Sequence, residues 1–600
     1  MKIKFLVTIV CMLLIFTTIP VAGTLNQNNF IDSQLAEKDS YPTIESDEDW
    51  WCMFRHDSGN TGCSSCEAPD TNELCWQQAI SDTVGIATPI VVNEKMYLST
   101  GGFYNIDPPE QNNLQMKSIN EKPKPVNIIS EIKSVLKNQY YGSLYCFNAV
   151  SGAPLWDFYV GMSQDPAVYD DKIYVTMLDY YSYSSTVQCR DAETGSTILW
   201  ERSLNGWILS SVIVADDKIY IGSLDLYSYA GKLYCLNAQT GNTEWTHTLG
   251  FFEFIYMSSP AVAEGMVYFI TLSFYGEDSK LYCLDAETGY SQWYQPIGYS
   301  ELSSPVVADG QVYAICSNFY SYYGDLYCFD ATTGSPLWTY NFDPYQFCFS
   351  NPSVYGDSIF VAIIDYYSYY GRILSIDTGT GDINWDIELP GIPYYSSPAI
   401  ADDKLYITIV DIFSYMGKLL CLSTSDGVTI WDYMLNYFTL SSPAIASGRV
   451  FAPDYLGNIY AIGFPNDPPT TPDITGELSG KPGKSYDYNF VSTDPEEEEV
   501  YYFVYWGDGN SSGWQGPYPS GEVVTISHTW EEKGTYNVSA RAKDIHGSKS
   551  DWASLEITMP KSKQSSMPIF QNFLIFLKQL FSMIEKTSIL HLLFYRYLFI

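Results

Sequence analysis

The side chains able to do chemistry are unevenly spread along this chain of 600 residues. Five His leave little for acid–base or metal work, no Ser/His/Asp set can be placed, and no phosphate-binding glycine loop is present. Four cysteines, Cys52, Cys63, Cys66 and Cys75, gather near the N-terminal side. They allow three disulfide pairings, and Cys63-Ser-Ser-Cys66 also permits a zinc site. Outside the cytoplasm, disulfides pinning the strand that holds Cys75 are the expectation. Asp494 and the acids Glu496 to Glu499 can meet Asp544 as oxygen ligands for calcium, or form a solvated acidic loop. The loop is the expected outcome, and no metal site is predicted.

Tyrosine is the other excess, with 52 in the chain. Many fall in one recurring pattern: Asp179-Tyr180-Tyr181-Ser-Tyr183, Asp225-Leu-Tyr227-Ser-Tyr229, Asn318-Phe-Tyr320-Ser-Tyr322-Tyr323, Asp365-Tyr366-Tyr367-Ser-Tyr369-Tyr370 and Asp411-Ile-Phe-Ser-Tyr415. A shorter version holds Tyr275. Tyr offers rigid, amphipathic contact area at low entropic cost, which suits a sugar or a protein partner. The alternative is that each hairpin packs on its neighbour and builds a solid rim. A related loop, from about Phe103 to Gln139, is expanded and rich in Pro, Asn and Lys.

Those loops need a scaffold that presents them together, and an internal repeat supplies one. Leu281-Tyr-Cys-Leu-Asp-Ala-Glu-Thr-Gly-Tyr-Ser-Gln-Trp293 recurs as Leu233-Tyr-Cys-Leu-Asn-Ala-Gln-Thr-Gly-Asn-Thr-Glu-Trp245. The same frame ends at Trp156, Trp200, Trp338, Trp385 and Trp431, with spacings of 44, 45, 48, 45, 47 and 46 residues. That period is one four-stranded propeller blade. An opening Pro column and a second-strand aromatic column each have eight members, whereas the turn Gly column has seven. The last blade stops at Gly463 without its outer strand, and Leu74-Cys75-Trp76 is an orphan outer strand. Pairing it beside Asn458–Ile462 closes an eight-bladed ring and removes two open sheet edges. By strand parity the Tyr loops all emerge on one face. Six Cys share one column (Cys146, Cys189, Cys235, Cys283, Cys328, Cys421) and read as small buried residues, too far apart to bridge.

The net charge is 31 − 69 = −38, which argues against nucleic acid as a partner. Residues 1–23 carry a basic head, an apolar run and small residues, the pattern of a signal peptide, with an uncleaved anchor as the alternative. Residues 24–49 read as a linker, 50–463 as the propeller, 464–472 as a Pro-rich linker, 473–560 as a second domain and 561–600 as an amphipathic tail. The tail holds five basic residues and one acid, net +4. Its segment 568–600 reads as an interfacial membrane helix, a helix docking on a partner or a cap.

The Asp285-Ala286-x-Thr288-Gly289-x-x-x-Trp293 frame resembles the tryptophan-docking motif of pyrroloquinoline-quinone-type propeller repeats. That resemblance implies that Trp76, Trp156, Trp200, Trp245, Trp293, Trp338, Trp385 and Trp431 lock neighbouring blades. Trp506-Gly-Asp-Gly509, His528-Thr-Trp530, Gly534-Thr-Tyr-Asn-Val538 and Ala542-Lys-Asp544 resemble a PKD domain, an immunoglobulin-like β-sandwich common on cell surfaces. The fold expected is therefore all-β: an eight-bladed propeller, a PKD sandwich and a short helical tail. Quinone dehydrogenases of this family hold the quinone and calcium, often beside a vicinal Cys–Cys, which this chain lacks. The expectation is a non-catalytic, cofactor-free, secreted or cell-surface binding protein or scaffold, contacting protein or glycan through the propeller face. A quinone-dependent dehydrogenase and a surface-layer component are the alternatives.

Overall fold

The computed structural model describes residues 50–559, except 81–86, 101–141, 162, 180–181, 226, 274–278, 301–302, 319–322, 367, 369, 412–413 and 546, together with 575–579. The signal-peptide assignment, the 24–49 linker, the expanded loop and most of the tail lie outside these residues. Within them the regular structure is almost all strand, and the chain divides into two units, to Pro465 and from Asn466.

Among the described residues, the first unit repeats one antiparallel four-strand pattern; three sheets carry a short fifth strand and five have only these four strands. One is Ala261–Ala263, Met266–Ile270, Ser279–Asp285 and Ser291–Gly298. The first strands neighbour one another in a closed cycle, with Ile90–Val92 beside both Ala167–Tyr169 and Ala444–Ala446. The first two strands are tight hairpins whose turns need positive φ at both central residues. Asp170-Asp171, Asp216-Asp217 and Asp402-Asp403 supply it at φ 51° and 56°, 49° and 58°, and 48° and 58°. Asp tolerates that region better than most residues. Burial changes across each sheet. Inner strands are buried on both faces, whereas an outer strand such as Thr243–Thr248 alternates between half-buried and exposed.

The last sheet takes its fourth strand from the other end of the chain. Leu74–Ala79 pairs antiparallel with Asn458–Gly463, placing Trp76 opposite Ala461. The expected disulfides do not pin it: Cys75 is a free thiol, raised by burial and countered by the neighbouring Arg449. Strand pairing holds it instead, together with the Trp76 indole, which donates to the Ala149 carbonyl of the next sheet at 2.9 Å.

Every sheet makes that last contact. The indoles of Trp156, Trp200, Trp245, Trp293, Trp338 and Trp385 donate to carbonyls of Glu193, Ala238, Ala286, Ala331, Thr378 and Thr424. Trp431 donates to Pro69, just before the closing strand. All of these indoles except Trp431 also lie over the turn glycine that follows. At Gly289, with φ +69°, a Cβ would sit 2.6 Å from the Trp245 ring. Inward from six of the Trp comes the Cys column, with Ala461 and Ser375 in its place opposite Trp76 and Trp385, and then the aromatic column, as in the register Tyr268–Cys283–Trp293. Tyr268 and Trp293 rings are 5.9 Å apart. Burial pushes the Cys283 thiol up to about 12, as befits a small apolar packing residue.

The recurrent Ser-Ser-Pro also acquires a physical reason. Its second Ser accepts from the backbone of the preceding sheet: Ser211 N donates to Ser259 Oγ, Ser259 N to Ser304 Oγ, Asn351 N to Ser397 Oγ and Ser397 N to Ser442 Oγ, all at 2.9–3.0 Å. Asn351 and Asp165 take this place in two sheets, accepting from Ser304 N and Thr88 N. A lead-in segment from Trp50 to Ser64 runs along the same first strands. Carbonyls of Trp51, Cys52, Ser58, Gly59, Thr61 and Gly62 accept from Val91, Val168, Val262, Val307, Val354 and Ile400. Buried Arg55 donates to the carbonyls of Pro352 and Pro398 and to Ser353 Oγ, and Asn60 donates to those of Pro260 and Pro305. Sheets of distant sequence are thereby tied to one short stretch of chain.

The second unit is a sandwich of a three-stranded sheet (Asp473–Gly476, Ser485–Val491, Val524–Thr529) and a four-stranded one (Ser511–Tyr518, Val500–Tyr505, Gly534–Lys543, Ala553–Met559). Tyr488, Trp506 and Trp530 fill its core with Val504, Val538 and Ile557. Residues 575–579 are helical. Among the described residues no helix is long and apolar enough to cross a membrane.

Candidate functional site

The Asp-x-Tyr-Ser-Tyr loops are hairpins organised by their aspartates. Asp225 Oδ1 accepts from the backbone of Tyr227 and Ser228 at 3.0 and 3.1 Å. Asp179 and Asp365 accept likewise from Ser182 and Ser368, and Asp411 accepts from Ser414 Oγ at 2.7 Å. Each carboxylate closes a turn by mimicking a backbone acceptor. Tyr183, Tyr229 and Tyr415 then sit at φ 53°, 54° and 57°, a region sparsely used by bulky residues. Asp225 also pairs with Lys232 at 2.8 Å. Burial alone would raise its carboxyl, but the bonds from Lys232 and Ser228 outweigh that and hold it below the usual range.

A second aromatic set meets these loops. It lies on the connections from each outer strand to the next sheet, which emerge at the same end. Gly206 N donates to the Tyr183 carbonyl, Phe252 N to Tyr229, Tyr366 N to Tyr345, and Tyr455 N to Phe438. Rings follow the backbone contacts. Tyr183 stacks on Trp207 at 5.3 Å with 11° between planes, and Tyr227 meets Tyr183 edge-on at 5.1 Å. Tyr229 lies against Phe251 and Phe252, and Phe347 against Tyr366. The connections differ in length and sequence, so this set shares no repeat column. Only the tertiary arrangement reveals it.

The described tyrosines divide. Tyr183 is half-buried against Trp207, whereas Tyr229, Tyr323, Tyr366, Tyr370 and Tyr415 are exposed. Tyr227 is 71% exposed and Phe251 70%. The face is thus a packed aromatic rim that still presents several rings to solvent. Tyr180, Tyr181, Tyr275, Tyr320, Tyr322, Tyr367 and Tyr369 lie outside the described residues. Glu253, buried and next in sequence to Phe252, accepts from Thr271 Oγ1, Tyr282 OH and Lys280.

A different chemistry gathers in the second unit. Asp494, Glu498 and Asp544 bring one carboxylate oxygen each within 4.8 Å of the others. Glu496, Glu497 and Glu499 are exposed as the acidic-loop reading requires, but Asp494 and Asp544 are only 4% and 1% exposed. The loop folds back on Asp494, whose Oδ1 accepts from Glu496 N and Glu498 N. Asp494 Oδ2 is buried with no hydrogen-bond donor. Asn466 donates to Asp544 Oδ2 at 2.8 Å, and Ser548 N to Asp544 Oδ1 at 3.0 Å. Three hard oxygens of like charge fit a cation such as calcium, which would offset their repulsion. The sequence expectation of a solvated loop is corrected at these three residues.

The fold defines an all-β propeller protein with an appended immunoglobulin-like sandwich. The family profile described as outer membrane protein assembly factor BamB, made of PQQ-type repeats, matches residues 140–385, 222–433 and 370–464, and the chain belongs to this family. A PKD domain profile matches residues 475–557. Both are typical of extracellular or envelope proteins. Among solved structures, the PKD domain of an M14-like peptidase from Thermoplasmatales archaeon SCGC AB-540-F20 is 53% identical, covering 16% of this chain and 99% of its own, with a TM-score of 0.16. A computationally designed protein, Ika8, is 10% identical over 64% of this chain and 98% of its own, with a TM-score of 0.44. A neuraminidase-like protein from A/bat/Guatemala/164/2009 is 9% identical over 67% and 98%, with a TM-score of 0.30. No curated protein matches the chain.

Proposed function

We propose that this protein is an exported, non-catalytic binding or scaffold protein that needs no quinone cofactor. It engages a protein or glycan at the cell surface through the loop face of the propeller. The observation that carries the reading is the exposure of aromatic rings on several blades of one face, above a layer of packed aromatics that fixes them. Rigid rings lose little entropy on binding, and sites repeated around a ring add their contributions through multivalency. The basic tail, 568–600, supplies membrane contact in this reading.

The test replaces Tyr227, Tyr229, Phe251, Tyr366 and Tyr415 by Ala together. Glycan and protein arrays probed with the parent chain identify ligands, and the fivefold variant should bind them at least tenfold more weakly with its melting temperature kept. Equal binding by the two proteins sinks the reading.

A further inference from the structure

Transferases that build N-linked glycans accept asparagine in the pattern Asn-x-Ser or Asn-x-Thr, where x is not proline. The chain holds two such sites, Asn510-Ser511-Ser512 and Asn537-Val538-Ser539, and both fall in the sandwich. Asn351-Pro352-Ser353 in the propeller has the excluded proline. The fold treats the two sites differently. Asn537 is exposed but belongs to the central strand Gly534–Lys543, with Val538 in the core and Ser539 only 1% exposed. Asn510 ends the turn that joins Val500–Tyr505 to Ser511–Tyr518. Gly507 and Gly509 supply φ of +76° and +92° there. Trp506 N donates to the Asn510 carbonyl at 3.0 Å, and Asn510 N donates to Asp508 Oδ1 at 3.0 Å. Gly509, Asn510 and Ser511 are all exposed. A Cβ at Gly509 or at Gly513 would meet no atom within 4 Å, so the tip has room for a bulky group on both sides of Asn510. Burial raises the Asp508 carboxyl, but bonds from His528 and Asn510 outweigh it and hold it below the usual range. A glycosylated amide keeps one N–H, so Asn510 still serves there.

The strand that follows is an edge. Ser511–Tyr518 pairs with Val500–Tyr505 on one side and with no other strand among the described residues. An open edge invites pairing with a second chain, and charged side chains are a common guard against it. Ser511-Ser-Gly-Trp-Gln-Gly-Pro-Tyr518 has no charged residue and relies on two bulges and Pro517. We propose that Asn510 carries an N-linked glycan, which covers this edge. The donor is an oligosaccharide on a polyprenyl phosphate or pyrophosphate. The Asn510 amide nitrogen attacks the anomeric carbon, so a C–N bond forms as the sugar–phosphate C–O bond breaks. The lipid phosphate leaves with the bonding pair, and a base of the transferase takes one amide proton. The transferase must read the Ser512 hydroxyl, which in the folded hairpin accepts from Val504 N at 2.9 Å and donates to the Gly513 carbonyl at 2.6 Å. Fraying one hairpin end releases Asn510–Ser512, whereas Asn537–Ser539 comes free only when a central strand breaks.

This inference rests on the export reading and is independent of the loop-face reading. Trypsin separates the two sites: Ser485–Lys533 holds Asn510 and Gly534–Arg541 holds Asn537, with no internal Lys or Arg in either peptide. Mass spectrometry of the full chain recovered from its native cells should find a sugar-bearing Ser485–Lys533 and a bare Gly534–Arg541. Asn510→Gln and Ser512→Ala should each abolish the modification, and Ser512→Thr should keep it. The bare Asn510→Gln protein should self-associate at a concentration roughly tenfold lower than the parent in sedimentation. Enzymatic removal of the glycan from the parent reads the same effect without any substitution. Protease added to intact cells separates two failures. A shielded chain overturns the export reading and this one together, whereas an accessible chain with a bare Ser485–Lys533 overturns this one alone. Glycan on Asn537 in place of Asn510, or equal self-association with and without the glycan, also overturns the proposal.

Discussion

Aromatic residues recur in two places on the propeller, with opposite results. In the outer strands, Trp76 and its seven counterparts donate their indole hydrogen to a fixed carbonyl, and all but Trp431 lie on a neighbour's turn glycine. In the loops, Tyr227 and Phe251 lie mostly in solvent although their neighbours Tyr183 and Phe252 are packed. One set is fixed by the next blade, its rings buried or half-buried against it. The other is held from below and remains open above. Recurrence in sequence therefore marks a residue that the architecture needs, but recurrence cannot distinguish a need for packing from a surface kept for a partner.

The sharpest break in this comparison comes from the dock. Trp76→Ala removes a buried indole and its bond to Ala149 where the two ends of the propeller meet, and should cost about 3–5 kcal/mol. Urea unfolding reads this as a lower midpoint with an unchanged slope. A loss below about 1 kcal/mol would mean that strand pairing alone closes the ring.

Next comes the hub, where Asp165 stands in a place that other sheets give to Ser, Thr or Asn. Burial raises its carboxyl to about 7, countered by hydrogen bonds from Thr88 and Ser211. A raised folded value means the native state holds the proton more tightly than the unfolded chain. The associated stability is complete below pH of about 4 and is lost as pH rises through about 7. Asp165→Asn should remove that dependence and become the more stable form above pH 7, by on the order of 2–4 kcal/mol. Unfolding midpoints at pH 5 and pH 8 measure it, and parallel profiles for the two proteins would contradict it.

The sandwich offers a third contrast, between the exposed acids Glu496, Glu497 and Glu499 and the gathered carboxylates of Asp494, Glu498 and Asp544, which could hold a cation. Calcium at about a hundred times its dissociation constant should stabilise the fold by about 2.7 kcal/mol. Asp494→Asn should abolish that gain while raising the stability of the calcium-free protein, because one of three repelling charges is removed. Thermal melting with calcium or with chelator distinguishes these outcomes.

The smallest effect belongs to the loop face. Tyr227→Ala should change stability by no more than about 0.5 kcal/mol, as for an exposed residue without structural duty. A larger loss would place Tyr227 with the docking set and weaken the binding proposal.

Much of the propeller was legible because its repeat is dictated by local rules. A turn Gly precedes seven of the docking Trp, and positive-φ residues, paired Asp in three hairpins, close the inner strands. Both are short-range demands of strand geometry and therefore recur from blade to blade. The closing strand was legible for a topological reason, since a missing outer strand at one end and an orphan Trp at the other leave one pairing. The disulfide expectation failed at Cys75 because spacing along the chain carries no information about which side chain Cys75 meets. It meets Arg449. Asp494, Glu498 and Asp544 were named from sequence as residues that can meet, and the choice between a solvated loop and a cluster depended on how the loop folds.

The sequence by itself determined the all-β class, the blade period, the PKD sandwich and the positions of the docking tryptophans. All of these follow from turn chemistry and alternation, which act over a few residues. Tertiary structure alone decided the rest. It ran Trp50–Ser64 along the first strands, paired the connection aromatics with the Tyr loops, left Tyr227 and Phe251 in solvent, buried Asp494 beside Asp544 and set Asn510 on an exposed hairpin turn. Each of these is a meeting of residues distant in sequence or a degree of exposure. Both depend on how the sheets pack and not on any local preference of the chain.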